Sequence, residues 1–235
     1  MFASYFDQFS VINIFFGLFT NSSLMLIVAV VLTFLFFKNE WLIPSRWQIV
    51  TELVYTHWTN LIKDSLGVKG IKYFPFILGL FSILVWLNIL GLFPYVFTVA
   101  THTIITFGLS FSIVLSVTIL GIKNFKSNFF SLLMPQGAPM ILAPLLVLIE
   151  TASYLSRALS LGLRLAANLS AGHLLFSILA SFGFQMIVNN YLMLSLFPIL
   201  IMVFITVLEI AVAIIQAYVF CLLTSIYLED TIKMH

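Results

Sequence analysis

Charge is what this sequence has least of. Only 8% of its 235 residues are Asp, Glu, Lys or Arg, against 62% hydrophobic, and that ratio excludes an ordinary soluble domain. Ten Lys and Arg against eight Asp and Glu leave a net charge of +2 with no basic cluster, which excludes a nucleic-acid partner. One cysteine, Cys221 in the apolar run YVFCLLTS, excludes an intramolecular disulfide and reads as helix packing. HExxH, GxSxG, CxxC and a glycine-rich phosphate loop are all missing, so no catalytic site, metal or cofactor is expected. No Lys or Arg precedes Lys38, which leaves neither the basic start of a secretory signal nor an Arg-rich transit peptide. Internal repeats of 20–50 residues are absent too.

What is present is apolar helix. A hydrocarbon core of roughly 30 Å takes about 20 helical residues, and five runs qualify: 22–38, 74–95, 104–122, 140–182 and 190–228. The expected fold class is therefore an all-α, polytopic integral membrane protein, one membrane domain over residues 1–235. Between the first two runs, Pro44-Ser45-Arg46-Trp47-Gln48 puts Ser45 and Gln48 at capping-box spacing. Trp47, Val50, Val54, Trp58 and Leu61 then recur at helical intervals, with Gln48, Glu52, Thr59 and Lys63 on the other side. That pattern predicts an amphipathic helix over 45–65 lying in the membrane interface; a short soluble helix packed on partner subunits is the alternative.

The last two runs are each about twice the length a perpendicular span needs. Neither has a turn signal at its middle beyond the weak Gly162, so they are expected as two long, steeply tilted helices joined near residues 184–190 as a hairpin. Loop charge sets the topology. Lys38, Arg46, Lys63, Lys69, Lys72, Lys123, Lys126 and Lys233 all fall on one side of a five-span arrangement, while loops 96–103 and 183–189 hold no Lys or Arg. The positive-inside rule places that basic side, with the C-terminus, in the cytoplasm or matrix and the N-terminus outside.

The hairpin holds Glu150, Arg157, Arg164, His173, Glu209 and Gln216. Four charges at bilayer depth cost on the order of 10 kcal/mol unless they face one another or water. Glu150, Arg157 and Arg164 are spaced by seven and form one stripe, which Asn168 continues. Gly162, Ala166 and Ser170 make a row of small residues that admits another helix closely. Glu209 and Gln216 repeat the seven-residue spacing on the return helix, with Ala213 between them. His173 lies nine residues past Arg164 on the opposite side of the helix, at a depth that Glu209 can reach. Titratable groups thus flank a guanidinium that cannot be deprotonated. Plainer readings stand beside this one: an ion pair of Arg157 with Glu150 or a neighbouring subunit, Glu209 as partner of either arginine, Asn168, His173 and Gln216 bonded to backbone carbonyls, and His102 in FTVATHT as a surface histidine. A channel or secondary transporter would also use such charges, although inverted repeats and broken helices are not evident.

IETASYLSRALSLGLRLAANLSAGHLL (149–175) and LEIAVAIIQAYVFCLLTSIYL (208–228), supported by SRW at 45–47, FPFILGLF and NxxGLFPY within 74–95, and PLLVLIE at 144–150, resemble the subunit a family of F-type ATP synthases. The resemblance covers nearly the whole chain, weakening before about residue 20. His at 173 with Glu at 209 resembles the mitochondrial version, which implies a multi-pass protein of the mitochondrial inner membrane with its N-terminus in the intermembrane space. It further implies a proton-translocating stator subunit beside a rotating c-ring, with peripheral-stalk and other membrane subunits, the lipid bilayer and protons as partners. Arg164 would oppose the ring carboxylate. Asn168, His173, Glu209 and Gln216 match positions of the proton path; Glu150 would lie near the inner cleft, and His102 in the outer loop. ATP chemistry would belong to soluble partner subunits.

Overall fold

A computed structural model of the chain describes residues 10–15, 19–37, 45–93, 96–126 and 143–232. Lys38, Pro44 and Lys233, and the start of the run at 140–142, lie outside the described residues. Two short strands, β1 (Asn13–Phe15) and β2 (Phe19–Thr20), pair antiparallel. Among the described residues six α-helices follow: α1 (Asn21–Phe37), α2 (Arg46–Leu66), α3 (Phe74–Gly91), α4 (Thr103–Phe125), α5 (Ala143–Val188) and α6 (Leu192–Ile232). The protein is an all-α membrane protein, and the small strand pair is the one feature of the described chain outside that class.

Four segments, Gly70–Gly91, Thr103–Phe125, Pro144–Val188 and Met193–Ile232, are long and apolar enough to cross a membrane, and α1 is a shorter apolar helix. At 46 and 41 residues, α5 and α6 run roughly 70 and 60 Å, about twice the hydrocarbon thickness. This chain buries only 6% of the apolar window of α5 and 11% of that of α6. The rest of those apolar surfaces must face lipid or other subunits.

α5 and α6 are joined by one tight cap. Tyr191 N–H donates to Met186 O (3.0 Å) and Asn190 N–H to Ile187 O (3.1 Å), while Asn190 holds φ +60°. This is the Schellman arrangement, with asparagine at the left-handed position it tolerates better than most residues. The helix therefore continues through Val188, beyond the run expected to end at 182. Pro198 lies inside α6 without ending it.

The chain divides into two compact units. The first comprises Met1–Lys38, Phe81–Thr103 and Leu165–Tyr218. In it the ends of α5 and α6 nearest the cap pack antiparallel in one register: Gly172 faces Glu209, and Gly183 faces Pro198, whose Cβ lies 3.6 Å from where a glycine Cβ would stand. The α3–α4 connection folds back through a 3₁₀ turn, Val99–Thr101, with the Phe97 and His102 rings stacked 5.1 Å apart.

The second unit comprises Asn39–Leu80, Ile104–Arg164 and Val219–His235. Ser45 caps α2, its Oγ accepting from Gln48 N–H at 3.4 Å, which satisfies one of the free donors of the first turn. α2 turns Gln48, Trp58, Ile62 and Leu66 inward and leaves Trp47, Ile49, Val50 and Leu53 exposed. The inward stripe thus differs from the expected one. Gln48 points in because Glu52 one turn on accepts from its Nε2 at 3.2 Å, so its amide is buried with a partner. At Gly162 a Cβ would meet Phe107 Cα at 3.2 Å and Ser110 Oγ at 2.8 Å, so the expected close approach at this small residue is made by α4.

Candidate functional site

α5 presents two faces along its central turns. Leu161, Gly162, Leu165, Ala166 and Leu169 are buried, while Leu163, Arg164, Ala167 and Asn168 are exposed. The 3.6-residue period explains the split, because the small and apolar residues recur on one side and the polar pair on the other. Arg164 therefore points outward. Its Nη2 lies 3.4 Å from Ser160 Oγ one turn back, a long and weak contact, and among the described residues it makes no ion pair.

Arg157 behaves differently. Its Nη1 lies 4.0 Å from Asp230 Oδ2, and its guanidinium sits 5.8 Å from the centre of the Tyr227 ring. Of the partners the sequence offers it, neither Glu150 at i−7 nor Glu209 is the one it meets within this chain, and Glu150 makes no ion pair among the described residues. Tyr154 OH donates to Val114 O at 3.4 Å nearby. Within the second unit, then, Arg157 belongs to a clamp that joins α5 to the last turns of α6.

The first unit holds a cavity of about 330 Å³. Asn88 of α3, Asn168 and Gly172 of α5, and Glu209, Ala213 and Gln216 of α6 contribute to its wall, among leucines and other apolar residues. Its construction follows from the hairpin register. Gly172 has no Cβ, and any Cβ there would overlap Glu209 Oε1; the missing side chain is what lets the carboxyl lie against the α5 backbone. Both Glu209 oxygens are shielded and have no hydrogen-bond partner. A carboxyl in that state is chemically incomplete, and the adjoining space has room for the water that would complete it. Gln216 is buried two turns on. His173, next in sequence to Gly172, engages the backbone of Gly91 at the end of α3.

Asn168, Glu209 and Gln216 are thus brought to one cavity, and His173 to its neighbour at Gly91. His102 belongs to the same unit but stacks on Phe97 and is absent from the cavity wall. Arg157 and Glu150 lie in the other unit. Two residues of the site escape the sequence reading. Asn88 is fully buried and donates from Nδ2 to Ala213 O at 3.1 Å; an amide inside an apolar span was the available signal, since polar groups at membrane depth tend to be functional. Gly172 gave no signal, because its role depends on a partner 37 positions away.

Comparison with known proteins identifies the family. A family model described as ATP synthase A chain matches residues 19–229. ATP synthase subunit a of Metridium senile is 60% identical over 233 residues, covering 99% of each chain. The subunit a of Chondrus crispus is 42% identical over 243 residues, covering 97% of this chain and 96% of its own, and that of Marchantia polymorpha is 42% identical over 247, covering 97% and 98%. With an apolar helical hairpin bearing Arg164, Asn168, His173, Glu209 and Gln216 and a match over nearly its full length, the chain belongs to the ATP synthase A chain family.

Proposed function

We propose that this chain is the proton-translocating stator subunit of a rotary F-type ATP synthase, a multi-pass protein of the mitochondrial inner membrane. The reading rests on its membership of a family whose members are named ATP synthase subunit a. The observation that carries the mechanism is Arg164, exposed on α5 and without an acid of its own among the described residues. A permanent charge at membrane depth is costly unless something answers it, and a carboxylate on a neighbouring rotating ring would do so. An opposite charge about 4 Å away is worth roughly 4 kcal/mol at an effective dielectric near 20, enough to hold a ring carboxylate ionised at that one angular position.

Protons reach and leave that position by separate routes. On the intermembrane-space side, Glu209 and water in the cavity of α3, α5 and α6 pass a proton toward Asn168, one helical turn from Arg164, and so to the ring. His173 and Gln216 fix the walls and the water. On the matrix side, beside Glu150, the proton is released. Arg164 prevents a short circuit, because its guanidinium repels a passing hydronium and cannot relay a proton itself. The membrane potential supplies about 2.3 kcal/mol per charge per 100 mV, which gives the ring a preferred direction. α5 and α6 lie steeply inclined around the ring, which accommodates their length and covers their bare apolar faces. Bond chemistry of ATP takes place on partner subunits, while Arg157 acts as a clamp through Asp230 and Tyr227.

The test is Arg164→Ala in the assembled complex in sealed vesicles. Proton-driven ATP synthesis is expected to be lost with the subunit still in place, and normal coupled synthesis would refute the gating role. Glu209→Gln is expected to slow proton uptake without preventing assembly; an unchanged rate would return Glu209 to a structural part.

A further inference from the structure

The Asn88 amide is fully buried and has one bond made and one left open. Its Nδ2 donates to Ala213 O at 3.1 Å, while its Oδ1 is shielded and has no hydrogen-bond partner. The orientation is chemically forced, because a carbonyl oxygen only accepts and the NH₂ group must therefore be the side turned to Ala213. That leaves an acceptor on the other side, in a residue that forms part of the same wall as Asn168, Glu209 and Gln216. An orphaned buried amide oxygen is costly. A purely architectural helix contact would have been served as well by an apolar side chain.

The geometry points to Asn88 as a positioning residue of the proton path: held by the Ala213 carbonyl, it presents a fixed acceptor to the water that passes protons to and from Glu209. The inference rests on the function proposed above. An amide oxygen suits the task because it accepts a hydrogen bond from water or hydronium, orients its lone pairs toward the carboxyl, and does not take the proton. The cavity, at about 330 Å³, holds several waters at about 30 Å³ each. Tethering one of them to both α3 and α6 keeps the relay aligned along the return helix. Asn88 touches no ring group and makes or breaks no bond.

The experiment uses the whole complex in vesicles, with passive proton conduction measured after removal of the catalytic head. Asn88→Leu keeps the size and removes both polar atoms; conduction is expected to fall by at least about tenfold, the factor that one lost hydrogen bond in a transfer barrier produces. Asn88→Asp keeps the shape and makes the acceptor ionisable, and its conduction is expected to follow a pH profile distinct from that of the parent. If Asn88→Leu prevents assembly, the Asn88→Asp profile decides. Parental conduction in Asn88→Leu, or a superposable pH profile in Asn88→Asp, would overturn the inference. Glu209→Gln, run alongside, separates the two readings: if it blocks conduction while both Asn88 variants behave as the parent, only the role of Asn88 falls, and if it conducts normally the proton path itself does.

Discussion

Gly172→Ala is the smallest change that should disable the proton path without disturbing the fold. The added Cβ would overlap Glu209 Oε1 and stand 2.8 Å from its Cδ and 3.4 Å from Oε2. Carbon atoms in contact sit about 3.5–4.0 Å apart, so the carboxyl has to retreat by about 1 Å. On the helix itself alanine is favoured over glycine by roughly 0.5–1 kcal/mol, and rotating a side chain some 30° off its preferred angle costs about 0.5–1.5 kcal/mol. These terms nearly cancel, so the hairpin should stay closed and the carboxyl should move. Misplacing a reacting group by about 1 Å costs on the order of 100-fold in rate. Assembled complexes carrying Gly172→Ala, energised by an imposed potential, should therefore take up protons about 10- to 100-fold more slowly at parental subunit content. Adding Glu209→Gln should cause little further loss, because both changes act on one group. A parental rate from Gly172→Ala would show that the carboxyl need not lie against α5, and the cavity would lose its claim to be the path.

Two further outcomes test the frame around the site. The Arg157–Asp230 pair is partly solvent-accessible, at 38% and 45% side-chain exposure, so Asp230→Asn should cost at most about 1 kcal/mol in resistance to thermal or detergent unfolding and leave coupling intact; loss of coupled synthesis with normal assembly would place Arg157 in the path after all. At the hairpin cap, Asn190 holds φ +60°, so Asn190→Val should destabilise by roughly 1–2 kcal/mol while Asn190→Gly should be neutral or better, both read by thermal unfolding of the purified complex; equal behaviour of the two variants would mean that the cap does not close the hairpin.

Much of the architecture was legible because membrane helices are encoded locally. Apolar runs of the required length and the absence of a break at their middles are one-dimensional signals, and α3 to α6 follow them. The far end of α5 was less legible: residues 184–190 read as the joint of the hairpin, although an asparagine is also what a left-handed cap accepts, and the helix uses Asn190 so. Pairings across space were not legible. The sequence offers Arg157 three partners, Glu150, Glu209 or a neighbouring subunit, whereas Asp230 and Tyr227 reach it from the end of the chain. The inward turn of Gln48 likewise depends on Glu52 accepting from its amide nitrogen, which overrides the simple sorting of polar from apolar faces. In the site, the polar residues stood out by their cost in an apolar chain. Gly172 and the Asn88–Ala213 bond did not, because their meaning lies in what another helix places beside them.

Arg164 has to answer a charge that this chain does not supply. A density map of the intact complex in the membrane, at a resolution that shows side chains, measures this directly as the distance from the Arg164 guanidinium to the nearest carboxyl group. A ring carboxyl within about 4 Å, or across a single water, is the predicted result. Arg164 turned to lipid, or paired with an acid of this same chain at every rotational position, would contradict it.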